Sequence, residues 1–171
     1  MSLPVDYLEI LERLGVAFVA YEGATSARAV LVGGAATAIS TAGQFMSADF
    51  DVVAADDASF ERAMIGAGFE CEGGVGHLAG GFFHPSFPGY VVEQVSKPLF
   101  DGRSELGRLI RLKVSDESAI VLPPAEDLIA DRLAQHAIAS KTDDSRLLQA
   151  IALFKMASNL GRIDIHASQT A

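Results

Sequence analysis

Acidic and apolar side chains alternate along residues 48–53, and this alternation restricts the segment to a strand. Asp49 and Asp51 are separated by Phe50, and Val52 follows. Because successive side chains of a strand point to opposite faces, residues two apart share a face and lie ~7 Å apart. The two aspartates therefore face one way, while Phe50 and Val52 face the core. Two carboxylates aimed together repel each other unless a cation neutralises them. The segment thus predicts a strand beside a charged site.

A short β-type run meets two glycines upstream of this strand. Residues 29–32 are apolar, Gly33 and Gly34 follow, and residues 35–42 are small and compatible with a helix. Paired glycines at a strand-to-helix junction leave two backbone N–H groups free beside a helix N-terminus. Such N–H groups and the helix dipole both favour anions. The segment therefore predicts a phosphate-binding turn.

A third acid stands in a later apolar segment. Glu93 lies in the middle of the strand-like residues 90–95, where packing alone does not favour a charge. Three carboxylates on adjacent strands, next to a phosphate-binding turn, suit hard cations with oxygen ligands. Mg²⁺ is typically held by one or two carboxylates together with substrate phosphates. Two such ions can stabilise the entering and leaving oxygens of a displacement at phosphorus.

The periodicity of the whole chain predicts an α/β (α+β) fold. We expect a mixed sheet of about five strands with flanking helices, followed by a C-terminal pair of helices. Pro123 and Pro124 mark a boundary, because the apolar spacing becomes helical beyond them. The expected division is a core over residues 1–122 and a helical extension over residues 123–171 that packs on the core.

The individual elements follow from local signals. A first helix is expected over residues 4–14, with Gly15 as its stop signal and a strand fragment at residues 17–20. The other predicted elements are a helix at 57–68, strands at 69–71, 81–84, 90–95, 109–114 and 119–122, and two helices beyond residue 124.

The composition excludes several classes of protein. The chain has 171 residues, of which 50% are apolar, so it can bury a core. Its net charge of −9 argues against extended nucleic-acid binding, which needs an excess of Lys and Arg. The single cysteine, Cys71, excludes an intrachain disulfide. No apolar run reaches the ~20 residues of a membrane helix, and no signal peptide is visible. We therefore expect a cytoplasmic protein.

Taken in order, these motifs resemble the signature of the nucleotidyltransferase superfamily, which has the polymerase-β-like fold. That signature has an apolar residue with Gly-Gly or Gly-Ser, then an Asp-apolar-Asp/Glu strand, then an acid in a later strand. The matching segments are residues 31–34, 49–52 and 92–94. The resemblance implies transfer of a nucleoside monophosphate (NMP) from a nucleoside triphosphate (NTP) to a hydroxyl acceptor, on a protein, a small molecule or an RNA end.

The resemblance also implies roles for individual residues. The residues implied in catalysis and in binding Mg²⁺ or Mn²⁺ are Asp49, Asp51 and Glu93. The residues implied in nucleotide binding are Gly33, Gly34, Ser47 and Arg132.

The C-terminal part is similar to one branch of the superfamily. Residues 122–128, residues 131–134 and the acids Asp143 and Asp144 resemble segments of small bacterial proteins of the abortive-infection and toxin–antitoxin type. This similarity implies a role in defence or in a toxin–antitoxin pair, with a cognate antitoxin or another partner protein.

Two departures from the signature leave an alternative open. Ala35 follows the glycines where active members often have serine, and residues 35–48 contain no Lys or Arg. These departures favour a second hypothesis, a non-catalytic module that binds a nucleotide or a partner protein on the same fold.

Overall fold

A five-stranded mixed sheet lies at the centre of the protein. The computed structural model describes residues 3–72, 81–95, 99, 105–139 and 143–160. In chain order, the elements of this part are α1 (Val5–Thr25), β1 (Val30–Val32), α2 (Gly33–Ser40), β2 (Asp49–Val53), α3 (Asp57–Gly66), β3 (Glu70–Cys71), β4 (Phe82–His84), β5 (Phe87–Gln94), β6 (Ile110–Lys113), β7 (Ala119–Leu122), α4 (Ala125–Ile138) and α5 (Ser145–Asn159).

The order of the strands in the sheet is β1-β2-β5-β4-β3. Only the β2–β5 pair is parallel among the strand pairs of the described residues, and the others are antiparallel. Strands β6 and β7 form a separate antiparallel pair. The predicted mixed sheet of about five strands with flanking helices, followed by two helices, is therefore confirmed.

One face of the sheet packs against α1 and α3 to form the main core. Phe50 is fully buried, and its ring stacks on Tyr7 of α1 with the ring centroids 5.2 Å apart. Phe60 of α3 meets Phe82 of β4 edge to face at 5.8 Å. Because side chains alternate along a strand, burying Phe50 and Val52 in this core turns the aspartates of β2 to the opposite face.

Helix α1 is longer than the sequence predicted. The expected end at Gly15 and the expected strand fragment at residues 17–20 are both wrong, because the helix continues to Thr25. Gly15 is buried, and a Cβ atom there would lie 2.4 Å from Oγ of Ser118. This glycine permits close packing of α1 against the segment that enters β7; it does not end the helix.

Helices α4 and α5 pack against each other, and α2 contacts both of them. Asp144 is the N-cap residue of α5, where the helix dipole favours a negative charge. Residues 161–171, the end of the predicted extension, lie outside the described residues, and the division at residue 122 stays a prediction. None of the helices described here is both long enough and apolar enough to cross a membrane.

Candidate active site

The parallel pairing of β2 and β5 brings acids from distant parts of the chain side by side. Asp51 is the direct partner of Glu93 in the register, and Asp49 is the partner of Val91. Directly paired residues of neighbouring strands project to the same face. Asp49, Asp51 and Glu93 therefore share the face of the sheet that points away from the main core.

The two glycines lie against this acidic face. Gly33 begins α2 with a left-handed φ of +67°, and a Cβ atom on it would lie 2.1 Å from Oδ2 of Asp51. A Cβ atom on Gly34 would lie 2.8 Å from Oγ of Ser47. Only glycine allows such close approach of the backbone, so both positions bring the first turn of α2 against the side chains beside it. The Ser47 hydroxyl itself donates to the carbonyl oxygen of Asp49.

A cleft of about 540 Å³ opens over this arrangement. All seven residues that the sequence assigned to the site line it. The lining residues are Val32, Gly33, Gly34, Ser47, Asp49, Asp51, Val53, Glu93, Val95, Leu99, Asp131, Arg132, Gln135, Ser145, Arg146 and Gln149.

Helix α4 supplies a buried cation to the cleft. The Arg132 side chain is 7% exposed, and its Nη2 donates to Oδ2 of Asp131 at 2.5 Å. A second guanidinium nitrogen, Nη1, donates to Oε1 of Gln149 on α5 at 3.4 Å. Arg132 therefore pairs with an acid of its own helix and also lines the cleft.

Helix α5 adds a second cation, Arg146, which sequence reasoning missed. Its Nη1 donates to Oδ2 of Asp143 at 2.9 Å, and its Nε donates to Oε1 of Gln135 at 3.2 Å. Gln135, Ser145 and Gln149 were missed as well, and Asp131 was not assigned to the site although it lies in the resembling segment 131–134. The one available signal for Arg146 was the lack of Lys and Arg in residues 35–48, which leaves the positive charge of the cleft to other elements.

The electrostatics of the cleft are most visible at Asp51. Burial raises the pKa of Asp51 above its ordinary value of 3.8, and the nearby charge of Glu93 raises it further. Arg132 lowers this pKa, while Asp49 and Asp131 add smaller upward contributions. Burial is the largest cause of the raised pKa, and the neighbouring carboxylates add to it. A partly buried face with excess negative charge is suited to a bound cation.

The donor set fits Mg²⁺ or Mn²⁺ that is held jointly with a nucleotide. No group of three His, Cys, Asp or Glu side chains within the described ranges is already arranged as a metal-binding cluster. Mg²⁺ needs only one or two carboxylates when substrate phosphates complete its coordination. Asp49 and Asp51 provide those carboxylates, and the raised pKa of Asp51 indicates that its charge lacks full compensation from the protein.

The comparisons with known proteins agree with the fold described above. No protein-family model matches the chain, and no curated protein matches it. A solved antigenic nucleotidyltransferase-like protein from Paracoccidioides brasiliensis superposes with a TM-score of 0.61 at 16% identity, covering 91% of this chain and 79% of that one. The antibiotic-resistance factor ANT(2'')-Ia superposes with a TM-score of 0.54 at 8% identity, covering 94% and 88%. The chain therefore has a nucleotidyltransferase-like fold.

Proposed function

We propose that the protein transfers a nucleoside monophosphate from an NTP to a hydroxyl acceptor and releases pyrophosphate. One observation carries the proposal: the carboxylates of Asp49, Asp51 and Glu93 share one face of the sheet, directly beside the glycine-initiated N-terminus of α2. An anion-binding helix start next to acids that need a cation is the combination that a metal-bound triphosphate requires.

The triphosphate tail would lie against the first turn of α2. Its backbone N–H groups have no partners within the helix, and Gly33 and Gly34 let phosphate oxygens come close to them. Arg132 and Arg146 line the same cleft and supply the positive charge that residues 35–48 lack. The proposed phosphate site therefore does not depend on a basic residue next to the glycines.

The acids have separate roles in the proposed reaction. Asp49 and Asp51 would hold Mg²⁺ or Mn²⁺, which when bound neutralises negative charge on the phosphates. Glu93 is exposed to the cleft and would accept the proton of the acceptor hydroxyl or orient that hydroxyl. The remaining contribution of the chain is positioning, since a fixed arrangement of donors and acids favours an in-line displacement at phosphorus.

The biological role extends this proposal. The C-terminal segments that resemble abortive-infection and toxin–antitoxin proteins form α4, which carries Arg132, and the start of α5. This resemblance favours a role in defence or in a toxin–antitoxin pair, with a cognate antitoxin or another partner protein. The alternative of a non-catalytic nucleotide-binding module predicts the same cleft without turnover.

The test is incubation of the protein with each of the four α-³²P-labelled NTPs and Mg²⁺ or Mn²⁺, with pyrophosphate release and labelled products as readouts. Asp51→Asn and Glu93→Gln should lose transfer. Asp116→Asn and Glu117→Gln, acids exposed outside the cleft, are the matched controls and should retain it. Calorimetry with NTP separates the alternatives: tight binding without turnover would favour the non-catalytic module.

A further inference from the structure

The side chains of β2 change character along the length of the cleft. Ser47, which precedes β2, lies by Gly34 at one end of the cleft. Asp49, Asp51 and Val53 follow at intervals of two residues on one face of β2. Each interval spans ~7 Å. Gly33 lies beside Asp51, and β1 runs from Val30, the partner of Val53, to Val32, the partner of Asp51, before it reaches the glycines. The aliphatic region therefore lies on the side of Asp51 away from the glycines.

This aliphatic region, which we call the aliphatic end, consists of Val53, Val95 and Leu99. All three line the cleft. Leu99 is 7% exposed and belongs to a second apolar cluster, while Val53 and Val95 are half-buried and pack against that cluster. Val95 follows Glu93 by two residues, as Val53 follows Asp51. The aliphatic end is thus the direct continuation of both acidic strands.

The proposed reaction fixes which substrate meets this end. In an in-line displacement the entering oxygen approaches the α-phosphorus from the side opposite the leaving pyrophosphate. The pyrophosphate would lie at Gly33 and Gly34, where the free N–H groups are. The acceptor must then approach from the far side of the carboxylates, across the aliphatic end.

The geometry points to an acceptor whose hydroxyl is carried on an uncharged, apolar body, such as a phenol or an aliphatic alcohol. This inference rests on the proposed function. A nucleic-acid end would bring phosphodiester charge onto aliphatic side chains, where it would lose its water without gaining a partner. The two described arginines of the cleft, Arg132 and Arg146, are on α4 and α5, and the three residues of the aliphatic end carry no charge with which a phosphodiester could pair.

The chemical step balances without a further reactant. The acceptor hydroxyl oxygen forms a bond to the α-phosphorus of the NTP. The bond from that phosphorus to the oxygen bridging the β-phosphate breaks, and its electron pair leaves with pyrophosphate. The hydroxyl proton passes to the carboxylate of Glu93, which then releases it to water.

The experiment offers the full chain an α-³²P-labelled NTP, Mg²⁺ and one acceptor at a time. The probes are N-acetyl-tyrosine amide, which represents a protein phenol, cyclohexanol, which represents a small alcohol, glycerol, and a short RNA with a free 3′ hydroxyl. We expect labelling of one or both apolar probes at least about tenfold faster than labelling of glycerol or RNA, because each buried apolar group contributes about that factor. The faster of the two apolar probes identifies the source of the acceptor.

A pair of nearly isosteric substitutions tests the aliphatic end itself. The double variant Val53→Thr/Val95→Thr should lower the preference for the apolar probes over glycerol by about tenfold. Val5→Thr, at an exposed valine on α1, is the control and should keep the preference. A thermal melt of each variant checks that it is folded. The comparison of the four probes on the unmodified protein tests the inference even if a variant fails to fold.

The outcomes separate this inference from the proposed function. Faster labelling of RNA or glycerol than of the apolar probes would overturn the inference and leave nucleotidyl transfer in place. An unchanged preference in a folded double variant would also overturn it. If no NTP releases pyrophosphate with any probe, or with water as the acceptor, the proposed function and the inference are both overturned.

Discussion

Gly33 and Asp51 are in such close contact that a Cβ atom on the glycine would lie 2.1 Å from the Asp51 carboxylate oxygen Oδ2. The glycine also has a left-handed φ of +67°, which costs other residues about 1–2 kcal/mol. We expect Gly33→Ala to lower the free energy of unfolding by about that amount and to reduce transfer about a hundredfold, because the Asp51 carboxylate must move. Chemical denaturation and initial rates of pyrophosphate release measure the two effects.

Gly66→Ala is the matched control for this variant. Gly66 is the last residue of α3, and a Cβ atom there would meet nothing within 4 Å. Neither stability nor transfer should fall in the control. Full transfer by a folded Gly33→Ala protein would contradict the placement of the Asp51 carboxylate against the glycine turn.

The raised pKa of Asp51 predicts a stability that depends on pH. Because burial and Glu93 raise this pKa above 3.8, the folded protein binds the Asp51 proton more tightly than the unfolded chain does. Stability therefore falls as the pH rises from about the ordinary aspartate pKa through the raised value. We expect Asp51→Asn, measured with EDTA, to melt at a higher temperature than the unmodified protein at pH 7. The difference should shrink as the pH falls below 4.

The same variant should lose transfer by at least about 10²–10³-fold, because its neutral side chain no longer provides the negative charge that holds the metal-bound nucleotide. Added Mg²⁺ and NTP should raise the melting temperature of the unmodified protein and leave that of Asp51→Asn nearly unchanged. Asp116→Asn serves as the control for the pH effect. A lower melting temperature for Asp51→Asn at pH 7 would contradict the electrostatic argument.

The two arginines of the cleft should respond differently to removal. The Arg146 side chain is 38% exposed and its partner Asp143 is 44% exposed, so Arg146→Ala should change stability by less than about 1 kcal/mol. It should still weaken NTP binding about tenfold, as expected for one lost charge-assisted contact. Arg132→Ala should weaken binding and also destabilise the fold by roughly 2 kcal/mol or more, because it leaves Asp131 without its cation.

Calorimetry with NTP and thermal melts distinguish these two effects. Arg132→Gln adds a pH test: Arg132 lowers the pKa of Asp51, so its neutral replacement should move the acidic limb of the pH–rate profile to higher pH. Arg62→Ala is a control, since Arg62 lies on α3 outside the cleft and donates to the Ser59 hydroxyl. NTP binding by Arg146→Ala as tight as that of the unmodified protein would remove it from the phosphate site.

Local patterns predicted the elements of the site well because their signals are short-range. The alternation around Phe50 and the glycine pair each need only a few neighbouring residues to be recognised. Both segments formed the expected strand and helix, β2 and α2. The strand-like run around Glu93 likewise formed β5.

Long-range features were not available from such patterns. The pairing of Asp51 with Glu93 is a choice of register between strands far apart in the chain, and no local spacing encodes it. The cleft contribution of Arg146 depends on how α5 packs on α4. The position of Arg146 after Asp143 and Asp144 carried no information about the neighbour that the helix would meet.

Gly15 illustrates the same limit, because a glycine in the sequence can indicate either the end of a helix or a close contact with a neighbouring segment. Alanine normally favours a helix over glycine by about 0.5–1 kcal/mol. At Gly15, however, a Cβ atom would lie 2.4 Å from Oγ of Ser118 and 3.0 Å from the backbone nitrogen of Ala119. We expect Gly15→Ala to lower the free energy of unfolding by about 1–3 kcal/mol, as overpacking does.

Two further variants make this last prediction specific. Gly23→Ala, also in α1, meets nothing within 4 Å and should raise stability by about 0.5–1 kcal/mol. Ser118→Ala should restore part of the loss in the Gly15→Ala background, because the buried Ser118 hydroxyl is the nearest obstacle and has no hydrogen-bond partner among the residues described. Chemical denaturation of the unmodified protein, Gly15→Ala, Ser118→Ala and the double variant measures the coupling, and Gly23→Ala is the control. A Gly15→Ala protein that is more stable than the unmodified protein, as Gly23→Ala should be, would contradict the close packing of α1 against Ser118 and Ala119.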